Sequence, residues 1–286
     1  MLKSTRSKQI ITIAAMLAFA VFLFTRDVKG LVKPKENQEK ANASKAEESV
    51  MPSFTIDEAS STSMGLISGT LASEISALER VYRTASGDDQ IAQAKQLAQK
   101  WDDVEQTIPS AMYLEVVANK EPSLTNWLNT GTRFLKAFDK SADTAKRSIF
   151  LQKANRAFTN AMAIDSTSTS AKSGLGVTIV NGMGAPMQGI ALLLEVVKKD
   201  PKNLEANMHL GKFALQSGQF DKAIIRFNSI INTIKATPDA YFYLATAYES
   251  LGKNKEAVDA YLISKKLAAD PSLSKFIDKK VTELKN

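Results

Sequence analysis

One histidine and no cysteine in 286 residues narrow the chemistry this chain can carry. Thiolate zinc sites, disulfides and cysteine nucleophiles are excluded, and a metal site would have to lean on carboxylates. His209 abuts the packing pair Leu210-Gly211, and with no second histidine it suits a structural or solvent-facing ring better than a ligand. Asp102, Asp103 and Glu105 suggest paired carboxylates. Adjacent helical residues point about 100° apart, however, so they read as a solvated helix end rather than an acid–base pair. Gly174-Leu-Gly176 and Gly182-Met-Gly184 resemble phosphate loops superficially. No strand precedes them and no Gly-Lys-Ser/Thr follows, so helix packing or hairpin turns explain them better. Glu115 and Glu195 leave open a lytic or carbohydrate-directed enzyme, which would need one of them exposed in a cleft. No complete catalytic set is visible, and the expectation is a protein that is not an enzyme and holds no cofactor and no metal.

Net charge is +7, with 37 basic and 30 acidic residues mixed along the chain. No Lys/Arg run is interleaved with aromatics as a nucleic-acid groove requires, so no nucleic-acid partner is expected. A chain without cysteine suits either redox environment, and composition leaves the compartment open.

The N-terminus reads as an address. Residues 1–9 form a basic flank holding Lys3, Arg6 and Lys8, and Ile10 to Phe24 is uncharged with Thr12 its one polar member. Residues 10–25 are expected to form a transmembrane anchor: with Gln9 the uncharged run gives about 25 Å of helix, against a hydrocarbon core near 30 Å. Flanking Lys and Arg side chains can snorkel to the interfaces. A cleaved signal is the competing reading. Its small-x-small site would normally follow the apolar run, whereas Ala18-Phe19-Ala20 lies inside it. The positive-only N-terminal flank predicts an inside N-terminus, with the rest of the chain on the periplasmic or extracytoplasmic side; a cytoplasm-facing arrangement is the alternative. Residues 26–66 mix Lys, Glu, Ala, Ser and Thr without apolar periodicity, the signature of a disordered linker. Some 40 flexible residues would reach roughly 35 Å. Asn42-Ala-Ser44 matches a glycosylation acceptor, a triplet common enough to arise by chance.

Beyond the linker the pattern is helical. Leu71, Ile75, Leu78 and Tyr82 stripe an N-terminal helix within residues 67–89. Residues 90–271 then show self-similarity at a spacing of 34: Leu210 with Leu244, Gly218 with Gly252, Ala223 with Ala257, and Phe227 with Tyr261. Such a period signals stacked helix-turn-helix units. Trp127, Gly131, Phe134, Ala154 and Phe158 form an earlier unit with about ten extra residues, expected as a long connection from Lys136 to Asp143. The unit through Leu175-Gly176, Asn181–Pro186 and Gly189 is the weakest. Leu273, Phe276, Ile277, Val281 and Leu284 stripe a capping helix over residues 272–286. The predicted fold is all-α: an α-solenoid of stacked hairpins, with an N-terminal transmembrane helix and a C-terminal cap.

The last two units resemble the tetratricopeptide repeat family in Tyr241, Leu244, Ala245, Tyr248, Gly252, Ala257 and Tyr261, and in Leu210, Gly211, Gly218, Phe220, Ala223 and Phe227. The layout resembles single-pass, membrane-anchored envelope members of that family. The resemblance implies that the first helix of each hairpin lines a concave peptide groove, which here would hold Met208, Lys212, Leu215, Phe242, Thr246 and Glu249. It further implies a protein or peptide partner and a role as an adaptor in envelope assembly or quality control, with the bilayer contacted through residues 10–25. A carboxylate-gripping groove is not expected, because Lys212 alone supplies the needed cation. A structural oligomeriser remains open as another reading.

Overall fold

The computed structural model describes residues 54–285, within a compact unit spanning Pro52–Asn286. Thirteen α-helices and no strand occur among the described residues. Five hairpins follow two leading helices, α1 (Ile56–Met64) and α2 (Gly69–Thr84). The hairpins are α3 (Gly87–Asp103) with α4 (Thr107–Lys120), α5 (Leu124–Lys140) with α6 (Thr144–Ile164), and α7 (Thr169–Gly182) with α8 (Pro186–Lys199). Then come α9 (Leu204–Gln216) with α10 (Phe220–Ser229), and α11 (Pro238–Ser250) with α12 (Asn254–Ala268); α13 (Pro271–Lys285) closes the stack. A π-helical turn, Ile230–Ile234, extends α10.

Local chemistry sets these boundaries. Ser123, Asp143, Ser168, Asn203 and Thr237 each cap a helix start by accepting a backbone N–H. Gly218 and Gly252 turn the last two hairpins at φ +74° and +70°, a conformation other residues enter only with strain. Between hairpins the contacts are one-sided. First helices touch in succession, α5 with α7, α7 with α9 and α9 with α11, while second helices make no comparable contact among the described residues. The first helices therefore lie on the inner side of the stack.

The core is assembled from aromatic wedges set against small residues. The Phe158 ring on α6 fills the space over Gly131 on α5 and Gly174 on α7. A methyl on Gly131 would stand 2.8 Å from that ring, and one on Gly174 closer still. Phe227 uses Gly211 in the same way, at 2.7 Å. These glycines are packing surfaces, and the Gly174-Leu-Gly176 pair is helical.

Two expectations need correction. The linker does not run to residue 66: Ile56–Met64 is helical, fixed by a reciprocal cap in which the Glu58 N–H donates to Thr55 Oγ1 at 3.2 Å and the Thr55 N–H to Glu58 Oε2 at 2.8 Å. Apolar anchors hold it down. Phe54 meets Phe150 of α6 edge-on at 5.6 Å, Lys146 lies over the Phe54 ring at 5.3 Å, and Ala59 is buried. This short segment covers α4, whose buried residues Ala111, Met112, Tyr113, Val117 and Ala118 lie on every face of the helix. The second correction concerns the extra residues of the second hairpin. They lengthen α5 to 17 and α6 to 21 residues, leaving only Ser141–Asp143 between them. Residues 10–25 lie outside the described residues; among those described, no helix is long and apolar enough to cross a membrane.

Candidate functional site

Three successive inner helices wall a cavity of about 260 Å³. Leu135, Phe138, Phe158, Val177 and Phe213 give it an apolar floor, while Lys136, Asp139, Glu205, His209 and Lys212 bring charge or polarity to its walls. Asp139 and Lys136 come from α5 and Glu205, His209 and Lys212 from α9. Spacing does this: on α9, Glu205, His209, Lys212 and Gln216 recur every three or four residues and share one face. Lys212 extends toward the next hairpin, its ammonium 5.4 Å from the Tyr243 ring centroid.

Electrostatics in the cavity follow from lost water. Glu205 keeps surface open to solvent, yet the surrounding walls desolvate its carboxyl and hold it above the usual carboxylate range. His209 stacks on Phe213 at 6.2 Å. Burial, helped by the Lys212 charge, lowers its pKa to about 4. A depressed histidine is neutral in the fold and must take up a proton as it unfolds. Its contribution is intact above pH 6.5 and drains away as pH falls toward 4, whereas raised Glu205 acts with the opposite sign. For this half-buried ring the loss is on the order of 1–3 kcal/mol. Urea unfolding at pH 7 and pH 4.5 should show the wild-type chain losing more stability than His209→Gln; equal losses would remove His209 as the cause.

The six residues expected to line a groove do not share one surface. Lys212 lines the cavity. Met208 and Leu215 pack into the core around Phe227, Leu244 and Tyr261. Phe242 is covered by Tyr261 at 5.6 Å and Phe276 at 6.0 Å. Thr246 lies 3.3 Å from the Tyr261 hydroxyl, and Glu249 accepts from Tyr261 at 2.7 Å and from Lys280 of α13 at 2.8 Å. The cap thus uses polar positions that an open repeat would present to a ligand. Asp139 and Glu205 were missed. Asp139 lies on α5, whose unit is stretched by the extra residues, and Glu205 lies on α9 one turn before His209, in a clear unit but off the positions that the repeat pattern marks; the usable signal was the face of α5 equivalent to that of α9.

A second concavity of about 310 Å³ lies among α3, α4 and α5, lined by Lys95, Gln99, Asn126, Asn129 and Arg133. Its cations are already engaged: Lys95 with Glu121 at 2.6 Å and Arg133 with Asp102 at 2.5 Å. Asp103 accepts from Gln99, so Asp102 and Asp103 serve separate local contacts. Of the carboxylates that an enzymatic reading would need, Glu115 is buried between Lys153 (2.6 Å) and Arg156, and Glu195 is exposed and paired with Lys172 at 2.9 Å. Neither lines the cavity between α5, α7 and α9.

Comparison with known proteins agrees with this geometry. Residues 182–238, from the end of α7 to the start of α11, match the tetratricopeptide repeat family. The fold is an all-helical solenoid like that of tetratricopeptide-repeat proteins. A tetratricopeptide repeat protein from Parabacteroides merdae ATCC 43184 superposes with a TM-score of 0.58 at 9% identity, covering 81% of this chain and 83% of its own. PilW, described as a widely conserved type IV pilus biogenesis factor, gives 0.50 at 16% identity over 68% of this chain and 90% of its own. No curated protein sequence matches the chain. At such identities the likeness is one of fold, and function has to be argued from the site. In a stacked solenoid no hairpin buries its face alone, which is why the faint third unit still folds between well-formed neighbours.

Proposed function

We propose that this chain is a membrane-tethered adaptor that binds polypeptide partners on the inner face of its tetratricopeptide-repeat solenoid, in assembly or quality control at a cell envelope. The observation that carries the reading is the cavity between α5, α7 and α9, where an apolar floor meets charged walls. Pockets of mixed character built on rigid helices suit side chains of a bound segment. The apolar run at residues 10–25 supports the tether, and the basic flank supports an extracytoplasmic solenoid. PilW, a pilus biogenesis factor of similar fold, supports an envelope setting.

Site-specific photo-cross-linking in membranes tests this. A cross-linker replacing Thr132 or Gln216 at the cavity should capture a polypeptide at a yield several-fold above one replacing exposed Ile225 on α10. Equal yields would remove the inner face as the binding surface. A reporter fused after Asn286 that is active only inside the cell would reverse the orientation.

A further inference from the structure

Resting on that reading, we propose that the cavity between α5, α7 and α9 selects a basic side chain, arginine above all, from the bound polypeptide. Asp139 from one wall and Glu205 from the other bring carboxylates to the same cavity. Neither forms an ion pair among the described residues, although eleven such pairs occur there. Two lysines also border the cavity, and neither pairs with these acids among the described residues. Lys212 directs its ammonium toward the Tyr243 ring, and Lys136, like Asp139 and Glu205, is exposed to water, where its charge is screened. The remaining ionisable group, His209, is neutral through burial and stacks on Phe213. No titratable group of α7 or α6 lines the cavity.

This arrangement suits a guanidinium in three respects. Its flat face can lie against the Phe213 and His209 rings, as cations do on aromatic surfaces. Its forked N–H groups can reach carboxylates on two walls, where charge-assisted hydrogen bonds are strong. Its alkyl stem covers the apolar floor of Leu135, Phe138 and Val177. The volume, about 260 Å³, holds one long side chain with a few waters at ~30 Å³ each. A partly desolvated carboxylate gains most from an incoming cation, since the water that would compete with that cation has already been displaced.

The test uses the full chain in nanodiscs and short alanine–serine peptides whose central residue is arginine, lysine, citrulline, leucine or glutamate. Fluorescence anisotropy should show arginine bound about tenfold more tightly than citrulline, its neutral isostere, and glutamate bound least. Glu205→Gln and Asp139→Asn should each reduce the arginine-over-citrulline ratio, with unchanged thermal melts. Equal affinity for arginine and citrulline, a preference for glutamate, a ratio untouched by both variants, or no binding of any peptide would overturn the proposal. Loss of arginine preference alongside intact cross-linking at Thr132 and Gln216 would leave the inner-face reading standing, so the two failures are separable.

Discussion

Phe158→Ala should lower the unfolding free energy by about 3–5 kcal/mol, the usual cost of emptying a large aromatic site. The ring is 2% exposed and fills the space over Gly131 and Gly174, so it binds α6 both to its own partner helix and to the next hairpin. In a solenoid each unit is held chiefly by its neighbours, and losing such a contact weakens one junction in the stack. Gly174→Leu in the wild-type chain should cost about 1–3 kcal/mol, because its side chain must enter the volume already taken by the ring. Combined with Phe158→Ala, the same leucine partly fills the hole, and the double variant should be more stable than the sum of the single losses implies. Urea unfolding of the four chains gives the coupling directly. Simple additivity would mean that ring and glycine do not share the space.

Glu115→Ala should destabilise the chain by about 2–4 kcal/mol, while Arg156→Ala should cost under about 1 kcal/mol. The asymmetry comes from solvent. The Glu115 side chain is only 10% exposed and lies between Lys153 and Arg156, so its removal leaves the Lys153 ammonium, 21% exposed, without its buried counter-charge. Arg156 is 59% exposed, and deleting it leaves Glu115 still held by Lys153 at 2.6 Å. The comparison also bears on enzymatic readings of this carboxylate, since a catalytic acid would have to release both cations to act. Denaturant unfolding of both variants decides the matter; equal costs would mean that Glu115 is hydrated rather than enclosed.

Much of the fold was legible in the residues. Small residues at Gly211, Ala245 and Ala257, set against Phe227 and Tyr261, announce two hairpins because close helix approach needs that pairing of sizes. Gly218 and Gly252 mark turns by the same logic of necessity. The leading helix was hidden by the composition around it. Thr55 and Glu58 form a capping box that is readable in sequence, but the helix it starts is short and weakly apolar. Its stability comes from Phe54 and Ala59 reaching α6 and the core around Phe150, contacts far away in sequence. The second hairpin was misjudged for a related reason. Ten extra residues can extend a loop or two helices, and the choice rests on what the added turns bury. Here Ala137, Phe138 and Phe150 all enter the core, and helix wins.

The site divides along the same line. Repetition at a spacing of 34 determined that inner and outer helices alternate, because each hairpin repeats one local packing solution. Which inner residues stay open was decided only when the stack formed. Phe242, Thr246 and Glu249 occupy open-groove positions in the repeat pattern, yet α13 and Tyr261 claim them. Glu205 and Asp139, separated by many residues, come to one cavity because α5, α7 and α9 pack side by side. Periodicity encodes the direction a side chain takes from its own helix. Its neighbours on other helices depend on the curvature of the whole assembly, and no local pattern records that.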